Sequence, residues 1–305
     1  MHILLFFLDG VGLGDDDPER NAFARADLPT LYALTNGKPW LRDLPRGDNG
    51  RALFVPTDAR LGVPGIPQSA TGQAAIMTGR NVPRIIEGHY GPKPDARISA
   101  VIRRDSLVRR LSQYGRQASF LNAYPAAYLE RIAQGTRLRS ANQLAMHVGG
   151  APMLGPEALY RGEAISADFT GQAWRTLLGY SDAPVITAFE AGQRMARLAR
   201  QADFTLFDHW LTDYVGHRCE MGRAVEVLEQ LDEVVAGLLS EWDDSEGLIL
   251  ITSDHGNLED CTARRHTQNQ VPTLIIGDAR EEIGAGLGDL TDFAKPVLRL
   301  LNSGA

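Results

Sequence analysis

Seven side chains, spread over five segments of the chain, have the types that a two-metal phosphoryl-transfer site with a serine nucleophile would need. They are carboxylates, imidazoles and one hydroxyl, at Asp9, Ser69, Asp213, His217, Asp254, His255 and His266. Carboxylate oxygens and imidazole nitrogens bind zinc or manganese, and a hydroxyl beside such ions becomes a stronger nucleophile. The set therefore predicts a type of reaction, although it does not name a substrate.

The spacing of Asp213 and His217 suits a shared cation. Because they are four residues apart, both side chains project from one face if the segment is helical. His266 would add a third ligand, which gives one carboxylate and two imidazoles. Asp208 and His209 form another polar pair, but their place within a predicted strand favours a packed supporting role for His209.

Two further acidic residues directly follow apolar runs. Asp9 ends the run 3–8, and Asp254 and His255 follow the run 248–252. In an open α/β sheet, ligands bind beyond the carboxyl ends of the strands. A single aspartate in such a place often only caps a turn. Their joint occurrence with Asp213 predicts a common site.

Ser69 precedes a predicted short helix that ends at Gly79. The first turn of a helix offers free backbone N–H groups and partial positive charge, which favour both an alkoxide and the phosphate that it attacks. An ordinary N-cap role is the alternative for Ser69, and Thr71 is a rival nucleophile.

The elements that must position these residues follow from the alternation of short apolar runs with helical patterns. This alternation predicts an α/β fold with a mostly parallel central sheet and helices on both faces. Strands are predicted at 3–8, 118–123, 204–210, 248–252 and 273–276. Helices are predicted at 220–242, 188–201 and 103–114, and we interpret the arginines of the last as a solvated face.

The middle of the chain has a weaker pattern, rich in glycine, proline and small residues. We predict that residues 126–187 form an inserted cap or lid, and that 1–125 and 188–305 form the metal-binding catalytic core. The length of 305 residues and a hydrophobic content of 44% allow one large domain with such an insert.

Composition excludes several classes of function. A net charge of −7 argues against a nucleic-acid partner, whose phosphates would be met by a basic protein. The N-terminal run has no basic leader, and no stretch approaches the ~20 apolar residues of a membrane span, so a cytoplasmic protein without membrane contact is expected. The two cysteines, Cys219 and Cys261, cannot form a disulfide framework.

Five segments together resemble the metal-site motifs of the alkaline phosphatase superfamily. In order they read LDGVG at 8–12, QSATG at 68–72, DYVGH at 213–217, SDHGN at 253–257 and HTQNQVP at 266–272. Within that superfamily they are most similar to the subgroup of cofactor-independent phosphoglycerate mutase and phosphopentomutase. The resemblance covers the two ends of the chain, about two thirds of it, and implies an alkaline phosphatase-like fold.

The resemblance also implies two divalent metal ions, manganese or zinc. Asp213, His217 and His266 would hold one ion, while Asp9, Asp254 and His255 would hold the other. Ser69 would be the nucleophile at the second ion and would form a phosphoserine. The sequence does not decide between the two metals, and it does not specify an oligomeric state.

The serine segment departs from the mutase pattern Asn-Ser-Glu-Val-Gly-His, because Ala70 and Gln73 occupy its acidic and histidine positions. The chain is also shorter in the cap. Both departures favour hydrolysis of a small phosphate ester over mutase activity.

Other activities stay open. They are a phosphomutase acting on a phosphoglycerate or sugar phosphate, a phosphodiesterase or sulfatase, and a non-catalytic metal- or anion-binding module. A sulfatase is the least expected of the enzymes, since no Cys/Ser-x-Pro-x-Arg stretch occurs at Ser69. Four basic residues near the serine are weaker candidates for substrate binding: Arg80, Arg84, His89 and Lys93.

Overall fold

One seven-stranded sheet organises the chain, of which the computed structural model describes residues 1–302. The strands are β1 His2–Leu8, β2 Gly47–Asp48, β3 Ala52–Thr57, β4 Ala118–Phe120, β5 Phe204–His209, β6 Gly247–Ser253 and β7 Val271–Ile276. Their order across the sheet is β2-β3-β7-β6-β1-β5-β4. The neighbours β6, β1, β5 and β4 run parallel, whereas β7 is antiparallel to both β6 and β3. The expected α/β fold with a mostly parallel sheet is confirmed.

Strand β1 lies in the interior of the sheet, between β6 and β5, and is buried on both faces. Its odd-numbered residues from Ile3 to Phe7 pack in one hydrophobic layer, and its even-numbered residues from Leu4 to Leu8 pack in the other. A strand covered on both sides reads as a continuous apolar run, which is why β1 was recognisable in the sequence.

Helices cover both faces of the sheet within residues 1–302. They are α1 Ala22–Arg25, α2 Pro29–Leu34, α3 Ser69–Thr78, α4 Val82–Ile85, α5 Ala96–Asp105, α6 Leu107–Gln113, α7 Ala126–Ala133, α8 Ala141–Val148, α9 Pro156–Tyr160, α10 Gln172–Thr176, α11 Ala188–Ala199, α12 Leu211–Gly216, α13 Met221–Glu241, α14 Arg280–Gly284 and α15 Ala294–Asn302. In this part of the chain no helix combines the length and apolar character needed to cross a bilayer.

The helices predicted at 188–201 and 220–242 match α11 and α13. The prediction of a single helix at 103–114 is wrong, because Ser106 interrupts the helix and separates α5 from α6. The Ser106 hydroxyl accepts a hydrogen bond from the N–H of Arg109 at 3.5 Å, so it caps a new helix. Strands β2 and β3 were not predicted, since β2 is two exposed residues and β3 contains Pro56.

Helices α7 to α10 lie within the predicted cap, residues 126–187. Among them, α8 packs against α3 and α5, and its residues Ala141 and Met146 belong to the core layer that also holds Phe7. A separate small cluster around Trp174 lies farther along the segment. The division into core and cap stays a prediction.

Candidate metal centre

Three neighbouring parallel strands end at the same edge of the sheet, and polar residues lie at or just after these ends. Leu8 at the end of β1 pairs with Ser253 of β6 and with His209 of β5. The residues that follow, Asp9 and Asp254, therefore emerge side by side. Helix α12 begins two residues after β5 and carries Asp213 to the same edge.

Asp213, His217 and His266 converge, and we call them the Asp213 cluster. The Nε2 atoms of the two histidines are 3.2 Å apart. Asp213 Oδ2 lies 3.4 Å from Nε2 of His217, and its Oδ1 lies 3.6 Å from Nε2 of His266. One carboxylate and two imidazoles thus present ligand atoms within 4.8 Å of one another, and these ligand types suit zinc or manganese.

Asp9, Asp254 and His255 form a second group, the Asp9 cluster. Nε2 of His255 lies 3.3 Å from Asp9 Oδ1, 3.7 Å from Asp254 Oδ1 and 3.0 Å from Ser69 Oγ. Asp213 also belongs to this neighbourhood, because it, Asp9 and His255 have ligand atoms within 4.8 Å of one another. This sharing of Asp213 was not predicted from the sequence.

The hydrogen bonds of the three histidines suit metal ligation. Nδ1 of His217 faces the carbonyl oxygen of Arg264 at 3.3 Å, and Nδ1 of His266 faces that of Pro67 at 2.9 Å. Nδ1 of His255 lies 3.3 Å from the carbonyl oxygen of Gly256. Since a carbonyl can only accept, each Nδ1 carries a hydrogen, which leaves Nε2 as the ligand atom of each ring when that ring is neutral.

The charges of the site also favour cations. Burial alone would lower the pKa of His255, but Asp254 and Asp9 raise it to about 10. Burial and the neighbouring His255 lower the pKa of His266 to about 4. Burial would raise the pKa of Asp213, yet the hydrogen bond with His217 brings it down to about 2. The electrostatic potential around His255 is therefore negative, and it would stabilise a bound cation.

One buried oxygen supports the same assignment. Among residues 1–302, Asp9 Oδ1 accepts no hydrogen bond although it is inaccessible to solvent. A buried carboxylate oxygen without a partner is costly unless a cation or a proton compensates it. The donor set and this oxygen fit divalent ions at both clusters.

Ser69 is the first residue of α3, and Gln68 precedes it as the N-cap. The serine therefore does not cap the helix, and its hydroxyl is directed to His255 instead. The rival nucleophile, Thr71, donates its hydroxyl hydrogen to the carbonyl of Gln68 at 3.0 Å. The geometry favours Ser69, which was expected just ahead of the helix and lies within its first turn.

Close backbone packing holds the clusters together. Gly10 has a φ of +69°, and a Cβ there would lie 2.6 Å from Asp213 Oδ1, so only glycine fits between the strand end and the ligand. Asn257 donates its side-chain N–H to Asp213 Oδ1 at 2.6 Å. Glu259 accepts from the backbone N–H of Asn257 at 2.7 Å and of Gly12 at 3.0 Å. These contacts fix the loop after β6 against the first strand.

Sequence reasoning missed the role of Gln73, which lies one turn after Ser69 on the same face of α3. Its amide nitrogen is 3.2 Å from Asp9 Oδ2 and 3.3 Å from Asp254 Oδ2. The spacing of four residues from the serine was the available signal. Asn142 of α8 was also missed, and it donates its backbone N–H to the Gln73 carbonyl oxygen at 3.3 Å.

The four candidate substrate residues lie in different surroundings. Arg80 forms an ion pair with Asp105 at 3.0 Å, and Arg84 is exposed. His89 lines an open groove of about 540 Å³ that also contacts Gln68, the neighbour of the nucleophile. The charge of Lys93 lowers the pKa of Asp9, although burial raises that pKa overall. His89 thus lines a groove beside the neighbour of the nucleophile, the charge of Lys93 acts on Asp9, and Arg80 is paired with Asp105.

Comparison with known proteins gives a consistent picture. A family model described as the Metalloenzyme superfamily matches residues 180–303. The 2,3-bisphosphoglycerate-independent phosphoglycerate mutase of Methylobacillus flagellatus is 29% identical over 131 residues, which are 40% of this chain and 25% of the mutase. The corresponding mutase of Pseudomonas putida is 32% identical over 131 residues, with the same coverage of 40% and 25%. The match thus spans about a quarter of the length of these mutases.

Solved structures resemble the whole fold. A protein from Pyrococcus horikoshii has a TM-score of 0.59 and 15% identity, covering 99% of this chain and 96% of its own. The alkaline phosphatase of the Antarctic bacterium TAB5 has a TM-score of 0.53 and 12% identity, covering 98% and 97%. The expected resemblance to the alkaline phosphatase superfamily, and to its phosphoglycerate mutases, is confirmed.

Proposed function

We propose that this protein is a metal-dependent phosphoryl-transfer enzyme that hydrolyses phosphate esters through Ser69. One observation carries the proposal: the Ser69 hydroxyl lies 3.0 Å from His255 Nε2, beside two acidic side chains and at the start of a helix. A hydroxyl held at a cluster of metal ligands and at the positive end of a helix is suited to attack a phosphate. The similarity to mutases and alkaline phosphatases supports the same class.

The Asp213 cluster and the Asp9 cluster would each hold one divalent ion, manganese or zinc. When bound, the ions supply positive charge that lowers the pKa of the serine hydroxyl and offsets the charge of the transferring phosphoryl group. The side chains present both carboxylate and imidazole ligands, a mixture that suits either metal. Asn257 keeps Asp213 in place through its hydrogen bond to Oδ1.

The reaction divides into two displacements at phosphorus. Ser69 Oγ forms a bond to the phosphorus of the ester while the bond to the alcohol oxygen breaks, and the alcohol leaves with the serine proton. The phosphoserine is then attacked by water, the bond to Ser69 Oγ breaks, and the serine recovers a proton as inorganic phosphate leaves. The groove lined by Gln68, His89 and Tyr90 lies beside the nucleophile and would receive the alcohol.

A phosphomutase is the second candidate, because the matched relatives are phosphoglycerate mutases. A mutase must keep water out while the phosphoryl group returns to the reoriented substrate. The groove beside Ser69 is open, and Ala70 and Gln73 replace the acidic and histidine positions of the mutase pattern. Both observations favour hydrolysis.

A screen for phosphate release tests the proposal. We would supply phosphomonoesters and phosphodiesters with Mn, Zn or Mg, and compare the natural protein with Ser69→Ala. The variant should lose turnover by several orders of magnitude while still binding metal. Equal activity of the two proteins would rule out Ser69 as the nucleophile. Isomerised product without free phosphate, in a coupled assay, would favour the mutase.

The remaining expectations are part of the proposal. We infer a small phosphorylated substrate, no nucleic-acid partner, and a cytoplasmic location without membrane contact. The net charge of −7 supports the exclusion of nucleic acid.

A further inference from the structure

Gln73 lies deep in the protein, against both carboxylates of the Asp9 cluster. It is 2% exposed and is one turn after Ser69 in α3, a helix whose residues are all buried. Most of its neighbours in the helix are small or apolar. A buried polar side chain in such a helix needs partners for its amide.

The amide finds those partners on three sides. Its nitrogen lies 3.2 Å from Asp9 Oδ2 and 3.3 Å from Asp254 Oδ2. Its oxygen accepts from the backbone N–H of Asn142 at 3.3 Å. Carboxylates accept and a backbone N–H donates, so only one orientation of the amide satisfies all three contacts. Both N–H groups of Gln73 are thereby directed at the two acidic ligands.

The contacts divide the oxygens of each carboxylate into two sets. Both Oδ2 atoms face Gln73, whereas both Oδ1 atoms face Nε2 of His255, at 3.3 Å for Asp9 and 3.7 Å for Asp254. Asp254 Oδ1 also accepts from the backbone N–H of Gly10 at 3.4 Å. Within residues 1–302, no group donates a hydrogen bond to Asp9 Oδ1, the oxygen that faces His255. The amide thus occupies one oxygen of each acid and leaves the other for the position beside His255.

We infer that Gln73 is a positioning residue for the cation of the Asp9 cluster, because it holds both carboxylates with Oδ1 presented to that cation. This inference rests on the proposed function for the existence of the cation, and adds which residue fixes the ligands. It also gives a role to the glutamine that stands where the mutase pattern has histidine. Hydrogen bonds to metal ligands restrict their rotation, and losing one commonly weakens metal affinity about 10- to 100-fold.

The amide also links two helices around the site. Asn142 is in α8, and its backbone N–H reaches Gln73 in α3, the helix of the nucleophile. The orientation of the Gln73 amide is therefore set by α8 and not by the carboxylates alone. A change at Gln73 should act mainly on the Asp9 cluster and less on the Asp213 cluster, whose carboxylate is held by Asn257.

The test is a calorimetric titration of metal-free protein with Mn²⁺ alone and with Zn²⁺ alone. We would compare the natural protein with Gln73→Met, which keeps the length of the side chain and removes the amide. The matched control is Gln143→Met, since Gln143 is a buried glutamine of α8 whose amide bonds Tyr124 and Tyr128 at 3.0 Å. Binding is measured directly, so the result does not depend on a known substrate.

Gln73→Met should bind one of its two cations about 10- to 100-fold more weakly. The other cation should be weakened less, because Gln73 contacts Asp9 and Asp254 and not the Asp213 cluster, and both cations of Gln143→Met should change by no more than about twofold. Gln73→His keeps one ring N–H donor in a different shape and should recover part of the loss. A larger loss of affinity in Gln73→Met than in Gln73→His separates the effect of hydrogen-bond donation from the effect of packing. Gln73→His also keeps the test valid if Gln73→Met does not fold.

Unchanged affinities in Gln73→Met and Gln73→His would overturn the inference, as would equal weakening of both cations. A loss in Gln143→Met as large as that in Gln73→Met would also overturn it. If the natural protein binds no cation, both the proposed function and the inference about Gln73 fail. If it binds two and the Gln73 variants match it, only the inference about Gln73 fails.

Discussion

The imidazole rings of His255 and His266 stack face to face, with centroids 3.7 Å apart and planes 13° apart. His255 belongs to the Asp9 cluster and His266 to the Asp213 cluster, so this contact joins the two. Asp213 joins them a second time, because its carboxylate is near ligand atoms of both clusters. Two cations bound here would be neighbours, as in-line phosphoryl transfer between paired metals about 3.5–4 Å apart requires.

The first prediction concerns the shared ligand. Asp213→Asn should weaken binding of both cations, because Asp213 contributes to both neighbourhoods. His217→Ala should lose only one, since His217 contacts Asp213 and His266 but is absent from the Asp9 cluster. After dialysis against Zn²⁺, elemental analysis should find about one ion per chain in His217→Ala and less in Asp213→Asn. Two ions in Asp213→Asn would contradict the shared role.

A second prediction uses the close packing of α3 on the strand end. A Cβ on Gly72 would lie 2.7 Å from the backbone oxygen of Asp254, so Gly72→Ala must push the nucleophile helix away from that ligand. We expect a loss of about 1–3 kcal/mol in the free energy of unfolding, together with weaker metal binding.

The control for that variant is Gly222→Ala in α13. A Cβ on Gly222 meets no atom within 4 Å, so the substitution should raise the free energy of unfolding by about 0.4–1 kcal/mol. Urea denaturation of the metal-free proteins measures both effects. Equal stabilisation by the two alanines would show that the contact between Gly72 and Asp254 does not constrain the helix.

A third prediction concerns acid sensitivity. Burial lowers the pKa of His209 to about 3. Its Nδ1 lies 3.2 Å from the carbonyl oxygen of Ala167, and its ring stacks on Phe169. Because this pKa in the folded protein is below the ordinary value of 6.5, the fold favours neutral histidine. The stabilisation is complete above pH 6.5 and is lost as the pH falls toward 3.

Lowering the pH from 7 to 5 should therefore cost about 2 kcal/mol through His209 alone. In His209→Phe, which keeps a ring against Phe169, the loss over the same interval should be smaller by that amount. Urea unfolding at both pH values, with a chelator present, measures the difference between the proteins. An identical pH dependence in both would exclude His209 as the source.

A fourth prediction separates two of the basic candidates for substrate binding. Lys93 is half-buried and its charge acts on Asp9 and Asp208, so it is placed to attract a phosphate. Lys93→Met should lower kcat/KM for a cleaved phosphate ester on the order of 100-fold. Arg80→Met should change it little, because Arg80 is paired with Asp105. Steady-state kinetics of both variants measures kcat/KM. Similar losses in the two would contradict a specific role of Lys93 in attracting the phosphate.

The sequence was most informative where a single strand or turn determines a residue's position. Asp9 and Asp254 could be placed because each follows an apolar run, and Ser69 because it lies at the start of a short helix. Gln73 could not be given a role, since its partners come from β1, β6 and α8, which only the tertiary fold brings together. The break at Ser106 was missed because the capping hydroxyl of one serine competes with an otherwise continuous amphipathic pattern.

The position of β1 between β5 and β6 in the sheet has a consequence for biosynthesis. β1 leaves the ribosome first, but its two neighbours in the sheet, β5 and β6, follow about 200 and 245 residues later. At about 5–20 residues/s, the nascent chain carries this strand, apolar from Ile3 to Leu8, unpaired for roughly ten seconds or more. Asp9 can meet His255 only after that delay, so the Asp9 cluster assembles late relative to the synthesis of β1, and chaperone binding to β1 would compete with its assembly.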